Sequence, residues 1–488
     1  MKVSLIHYDV DRITNEPGNK TVMKHFGHMP NIQLLYVAGT LEKLEVELQY
    51  LDIIGMGLSN HDMEERLKAF QPDVVGLSVF TSHFHNVVNF VGYIKSFLPD
   101  TKVILGGVHT SIFPEETLIY NPLVDYACVG EAEMVMPEFV RRFTARESFE
   151  GLKGLVWRDE SGAVRYNGPA PVNLDLDSTP FPARHLVPNE VYYNFISTRR
   201  NYTVFNSSRG CPFACIFCEA AQSKWRARSA MNIADEFEEC YEKHGIREID
   251  LFDSSFTIKK QRVLDICAEL IRRGLHKKII WDARSRVDSI DQEMLEAMKE
   301  AGCYRIFYGL ESGNPEILLK LRKKADVPQM RDIVNKTKKV GISAFGYFLV
   351  GSPGETYESY RQTVDLAKSL PLDFAIFNAL VPFPKTQLYE NYYVNNVNYD
   401  FWADYIKSPK PIETFLGRPW TNLTDEEVRQ MSHKAMLEFY FRPVQLMRAV
   451  KTVGSMDQFA RYCRAGVDML SSYAANFMGG GSKPHKAG

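Results

Sequence analysis

The stretch "YTVFNSSRGCPFACIFC", residues 202–218, decides how this chain is read. A run of β-branched and aromatic residues ends at two serines, and Cys211, Cys215 and Cys218 then fall within eight positions. The other cysteines, at 128, 240, 267, 303 and 463, stand apart from one another. Tetrahedral zinc takes four ligands and usually shows paired C-x-x-C units, so this C-x-x-x-C-x-x-C triplet makes a poor zinc site. A four-iron cubane fits better, because three thiolates leave the fourth iron open to a bound molecule. The helical pattern "MNIADEFEECYEKHG" follows, so the cysteines occupy a strand-to-helix loop, as in the first unit of a parallel β/α barrel.

Working downstream, "EIDLFDSSFT", "IIWDARSRVD", "CYRIFYGLESG", "ISAFGYFLVGSPGET" and "DFAIFNALVPFPKTQLYE" each place a strand before polar or glycine-rich residues. With the cysteine unit they make six β/α repeats over residues 201–395. Barrel enzymes keep their chemistry at the carboxyl ends of the strands. There stand Asp253 and Ser255 at the second strand, Arg284 and Arg286 at the third, and Glu311 and Ser312 at the fourth. A carboxylate can bond ribose hydroxyls or an ammonium group, and an arginine can fork onto a carboxylate. For Asp253 and Arg284 an internal salt bridge of the barrel is an equal alternative. Glu355, in "VGSPGET", can simply start a helix.

Upstream, residues 1–145 alternate strands ("KVSLIHY", "LEVELQYLDIIG", "DVVGLSVFT", "KVILGGVH", "DYACVGE") with helical patterns ("MEERLKAFQ", "NVVNFVGYIKSFL"). An open parallel sheet follows, with ligands expected beyond its carboxyl edge. That edge carries Gly76, Ser78, Thr81, Gly106, Gly107, His109, Gly130 and Glu131. Small residues admit a polar ligand close to the backbone, although glycine and serine also simply end strands. Residues 146–200 read as a linker holding a hairpin around Ser161 and Gly162 and the extended "LDLDSTPFPARHL".

Composition bounds the partners. The chain has 488 residues with a formal net charge of -2 and basic residues spread along its length, which speaks against a nucleic-acid partner. No stretch reaches the ~18 apolar residues of a membrane span, and the N-terminus is too polar for a signal peptide. A cytoplasmic location is expected, where clustered thiols serve as metal ligands or redox groups.

The cysteine triplet resembles the signature of the radical SAM enzymes. The resemblance implies a [4Fe-4S] cluster on Cys211, Cys215 and Cys218, S-adenosyl-L-methionine (SAM) chelated by the open iron, and cleavage of SAM to a 5'-deoxyadenosyl radical. Phe217 matches an aromatic position that packs near the adenine. "YGLESG" resembles the segment whose glutamate contacts SAM, which implies that role for Glu311 beside Ser312, and "VGSPGET" resembles the glycine-rich fifth-strand segment. An external electron donor such as flavodoxin or ferredoxin is implied as well.

The first 145 residues resemble the cobalamin-binding domain of one class of these enzymes, which implies cobalamin at the sheet edge. The loop that supplies a histidine to cobalt in many cobalamin proteins reads "SNHDMEER" here, so His61 lacks its following glycine and is not expected to ligate cobalt. The linker is similar to the Leu-Asp-x-x-Pro-x-Pro connector of the same class.

The expected architecture is therefore α/β: a Rossmann-like cobalamin-binding sheet, a partial (β/α)6 radical SAM barrel, a helical region over 396–478 and a disordered tail over 479–488. Within the helical region, Thr424 opens a capping box. Core packing is the expected role of most Met, Phe and Tyr side chains of the region's helices, although aromatic-rich "YENYYVNNVNYDFWADY" and "FYFRP" fit a large, partly apolar small molecule better than a sugar phosphate or a nucleotide. The resemblance implies methylation of an unactivated carbon but does not distinguish a tetrapyrrole, a lipid or a peptide natural product as substrate; apolar content alone favours a tetrapyrrole or a lipid. Alternatives are oxidation, cyclisation or carbon-carbon bond formation without methyl transfer, or a non-catalytic cobalamin or redox sensor.

Overall fold

The computed structural model describes residues 1–8, 27–410, 412 and 417–478. The tail expected over 479–488 lies outside the described residues. Two parallel sheets organise the chain, each built from the strands expected above.

The first sheet contains β1 (Lys2–His7), β2 (Glu47–Asp52), β3 (Val74–Ser78), β4 (Lys102–Gly106), β5 (Tyr126–Cys128), β6 (Leu155–Arg158) and β7 (Val164–Tyr166). Their order is β2-β1-β3-β4-β5-β6-β7. Pairing is parallel from β2 to β5 and antiparallel over the last two joins. Alternate residues point to opposite faces: Val3, Leu5, Val74 and Ile104 share one core with helices Ile32–Leu41 and Ala132–Ala145. Ile6, Val75, Leu77, Val103 and Leu105 share a second core with helices Asn60–Phe70 and Phe84–Phe97. Burial on both faces explains why these strands are short, continuous apolar runs. Strand order reverses between β1 and β3, the place where open α/β sheets hold ligands.

The hairpin around Ser161 and Gly162 forms, but it is not a free-standing part of the linker. Its first strand pairs with β5 and widens the first sheet. Helix Ile32–Leu41 has no counterpart in the sequence reading, because all but one of its residues are buried and no polar face marks a helical period.

The second sheet contains β8 (Tyr202–Phe205), β9 (Glu248–Leu251), β10 (Ile280–Ser285), β11 (Cys303–Glu311), β12 (Ser343–Val350) and β13 (Phe374–Ala379). All neighbours are parallel and in sequence order, so this is a partial barrel with β8 and β13 at its edges. Helix Asp425–Tyr440 closes over β13. Its start is fixed by the expected capping box, in which Thr424 and Glu427 bond each other's backbone amides.

The described rings of both aromatic segments follow the core-packing expectation more than the substrate-wall one. Trp402 is buried with its indole N–H on the Pro382 carbonyl at 2.9 Å, Tyr389 bonds Asp400 at 2.8 Å, and Tyr405 accepts from the His85 amide at 3.1 Å. These rings join the core of the first sheet, so "YENYYVNNVNYDFWADY" packs barrel against sheet instead of walling a cavity. In "FYFRP", Phe439 is buried and the Tyr440 hydroxyl bonds both backbone groups of Ala375, at 2.9 and 3.1 Å. Among the described residues, no helix is long and apolar enough to cross a membrane.

Candidate active site

The cysteine loop is anchored before it begins. Asp253, just beyond β9 and fully buried, accepts from the amides of Ser207 and Ser208 at 2.6 and 3.2 Å and from both hydroxyls at 2.6 Å. Its carboxylate is therefore committed to the protein backbone, and both sequence roles, cosubstrate contact and salt bridge, give way to this one. A two-residue ribbon, Ser208–Arg209 against Arg226–Ala227, closes the loop's base. Gly210 sits within it at φ 84°, where a Cβ would lie 2.3 Å from the Lys224 carbonyl oxygen, so only glycine fits.

Cys211 and Cys215 are buried and Cys218 is half-buried. Burial is the main cause that pushes the Cys211 and Cys218 thiols up. At Cys211 the Arg286 charge opposes it; buried over the Phe213 ring at 4.0 Å and held by Asp288 at 2.7 and 2.8 Å, Arg286 donates to the Cys215 sulfur at 3.3 Å. Three sheltered thiols beside a fixed cation suit an anionic iron-sulfur cluster. Among the described residues, no three His, Cys, Asp or Glu side chains converge as ligands of one ion. A cubane does not require that, since each thiolate takes its own iron.

Around this loop the strand ends offer buried polar atoms without protein partners: Ser255 Oγ, Ser352 Oγ and Glu355 Oε1. Such atoms suit a polar cosubstrate like SAM. Glu355 takes the amides of Gly351 and Ser352 with its other oxygen, while Thr356 caps the following helix. Burial lifts its carboxyl to about 7. Glu311 ends β11 at φ 63°, a conformation rare outside glycine, and is paired with buried Lys323 at 2.8 Å. Ser312 shares a hydrogen bond with Thr363 at 3.0 Å. Phe217 is half-buried against the core that joins the two sheets.

Arg284 takes the salt-bridge alternative. It forks onto Asp250 and lies 3.8 Å over the ring of Phe252. Burial, outweighed by Arg284 and its hydrogen bonds, leaves Asp250 below its usual range, whereas burial and the Asp250 charge push adjacent Asp282 well above it. Asp250, Lys323 and Ser352 were missed by sequence reasoning; only their positions in or beside barrel strands could have raised them.

At the first sheet's edge, Ser78, Gly106, Gly107 and Gly130 stand at or just past the ends of β3, β4 and β5. Thr81 follows, with its buried hydroxyl unpartnered. Nothing lies closer than 3.9 Å to a Cβ built at Gly106 or 4.0 Å at Gly130, so a large ligand can approach the backbone there. Gly107, at φ 106°, is tight instead, with Val79's carbonyl oxygen 2.8 Å from any Cβ. Gly76 lies within β3 against Leu5 and not at the edge.

Two expected ligand contacts sit elsewhere. His109 is fully buried between Phe84, at 3.8 Å, and Phe113, at 5.6 Å, and burial lowers its imidazole to about 3. It is a neutral ring, and neither of its buried nitrogens has a protein hydrogen-bond partner. Glu131 reaches across to the barrel, 2.7 Å from Arg226 and 3.3 Å from Arg209, and Glu133 joins Arg209 at 2.6 Å. His61 is exposed on helix Asn60–Phe70. Since Arg209 precedes Cys211 by two residues, the ion pairs tie the edge of the first sheet to the root of the cysteine loop.

The chain matches the Radical SAM superfamily over residues 205–367 and the B12 binding domain over residues 20–140. It is 31% identical over 425 residues to an "Uncharacterized methyltransferase" of Pyrococcus horikoshii, covering 86% of this chain and 90% of that one. With the "Anaerobic magnesium-protoporphyrin IX monomethyl ester cyclase" of Cereibacter sphaeroides it shares 27% identity, over 75% of this chain and 60% of the cyclase. The solved structure of the radical S-adenosylmethionine methyltransferase TsrM from Kitasatospora setae, with cobalamin and a [4Fe-4S] cluster bound, aligns at a TM-score of 0.70 and 17% identity. That alignment covers 98% of this chain and 99% of TsrM, and shows a common fold.

Proposed function

The chain belongs to the radical SAM enzymes that carry a cobalamin-binding domain, and on that premise we propose that it methylates an unactivated carbon of a large, partly apolar substrate, a tetrapyrrole or a lipid. When bound, the cluster with SAM supplies hydrogen abstraction, and cobalamin supplies a transferable methyl group.

One observation carries the reading: Glu131 and Glu133 fasten the first sheet's ligand edge to the residues that root the cysteine loop. Methyl transfer needs two cofactors addressed to one carbon, and a fixed junction between their sites supplies the orientation. In this scheme Cys211, Cys215 and Cys218 hold the cluster while Arg286 balances its charge. Glu311 and Ser312 receive SAM, with Ser255, Ser352 and Glu355 offering the unpartnered polar atoms and Phe217 packing beside it. Ser78, Thr81, Gly106, Gly107 and Gly130 frame cobalamin. Apolar character at the barrel mouth rests on Phe252, just past β9 and 44% exposed.

Replacing Cys215 by alanine is expected to abolish cluster assembly and all SAM cleavage; normal cleavage by that variant would remove the assignment. Product counting separates the readings. Methyl transfer yields S-adenosylhomocysteine together with 5'-deoxyadenosine. Likeness to the cyclase favours a second reading, ring closure without methyl transfer, which yields 5'-deoxyadenosine alone. Neither product under anaerobic reducing conditions would indicate a sensor.

A further inference from the structure

Ile216, the residue after Cys215, is held from both sides by backbone hydrogen bonds. Its amide donates to the Leu321 carbonyl at 3.3 Å, and its carbonyl accepts from the Leu388 amide at 2.8 Å. These bonds join the cysteine loop to two surface segments, 319–324 and 385–388. A further bond, Arg322 Nη1 to Gln387 Oε1 at 2.8 Å, fastens the segments to each other. The same turn sends Lys323 inward to Glu311, so its inner side reaches the candidate cosubstrate site.

The outer side is cationic. Lys320, Arg322, Lys324 and Lys385 are all exposed, and none of them makes an ion pair among the described residues. Glu316 and Asp326 flank the first segment in sequence without pairing to it. Amid these cations Leu319 stands 77% exposed. Unpaired cations around an apolar residue have the anatomy of a small interface, with a charged rim that steers an anionic partner and an apolar centre that excludes water.

We infer that this collar is the docking face for an acidic one-electron carrier protein of the flavodoxin or ferredoxin type. The inference rests on reading the cysteine triplet as a cluster site. One electron would leave the reduced carrier and enter the cluster, with no bond or proton exchanged at the interface. The collar's advantage is its position: it is the surface directly bonded, main chain to main chain, to the loop that holds the cluster ligands.

The test compares the full-length reconstituted protein with a Lys324→Glu/Lys385→Glu variant. A control, Lys277→Glu/Lys339→Glu, makes the same charge change on exposed positions leading into β10 and β12, at the opposite end of the barrel. Affinity for a flavodoxin and a ferredoxin is measured by surface plasmon resonance at low and high salt, and SAM cleavage is driven in parallel by the reduced carrier or by dithionite. The collar variant is expected to bind the carrier at least tenfold more weakly and to lose carrier-driven cleavage in proportion. Dithionite-driven cleavage and the control variant should be unchanged, and wild-type affinity should fall with salt. Unaltered affinity in the collar variant, equal weakening in the control, or no carrier binding by the wild type would overturn the proposal. Absence of about four irons per chain in the reconstituted wild type would instead overturn the cluster reading beneath it.

Discussion

Four hydrogen bonds converge on the Asp253 carboxylate from two consecutive serines that lead into the cysteine loop. Asp253→Asn keeps one acceptor oxygen for the two amides but loses the charge and turns an NH2 toward the two serine hydroxyls, which must then accept, at a cost of about 2 kcal/mol for buried bonds to a charged group. The expected result is a lower urea midpoint for the apo protein and less iron per chain after reconstitution; an unchanged value for both would deny Asp253 its positioning role. Glu355 tests burial in a different way. Its carboxyl is raised from an ordinary 4.5 to about 7, so between those values the folded chain binds more protons than the unfolded chain. Stability therefore falls as pH rises from 4.5 through 7, then levels. Glu355→Gln should lack that slope. The check is the difference in thermal midpoint between the two proteins from pH 5 to 8, and a constant difference would contradict the assignment.

Elements were legible where a local rule decides them. The Thr424 capping box depends only on spacing, and Thr424→Ala is expected to cost about 1 kcal/mol, seen as a lower thermal midpoint without loss of cluster. Parallel strands were visible because burial on both faces leaves unbroken apolar runs such as β3 and β4. Helix Ile32–Leu41 was invisible for the same physical reason, since burial on nearly every side erases its polar stripe. The aromatic segments left two readings open because a ring that packs a core and a ring that lines a cavity are the same letters. Trp402 and Tyr405 turned out to glue barrel to sheet.

Across the whole molecule, the two sheets meet through a small polar junction as well as that aromatic core. Glu131 and Glu133 reach Arg209 and Arg226, and the Tyr192 hydroxyl donates to Asp52 at the end of β2. Glu131→Ala leaves two partly buried arginines short of a partner, at about 2 kcal/mol. Secondary structure should persist by circular dichroism, while proteolysis of the connector between β7 and β8 accelerates. Under the proposed function, 5'-deoxyadenosine should then accumulate in excess over methylated product. Equal proteolysis and an unchanged product ratio would show that the junction does not align the sites.

The sequence by itself determined which segments are parallel strands, the place of the cysteine loop and the helix cap, because each follows from spacing or periodicity along neighbouring residues. Only the tertiary structure decided which polar side chains remain open to a ligand. Asp253 and Arg284 could be read as ligand contacts or as internal ion pairs, and Glu131 as a contact, from their positions at or just past strand ends. Each is committed to a protein partner, by residues between 34 and 95 positions away along the chain. A strand end specifies where a side chain begins. Which neighbour satisfies its charge depends on contacts between elements, and no local pattern encodes those.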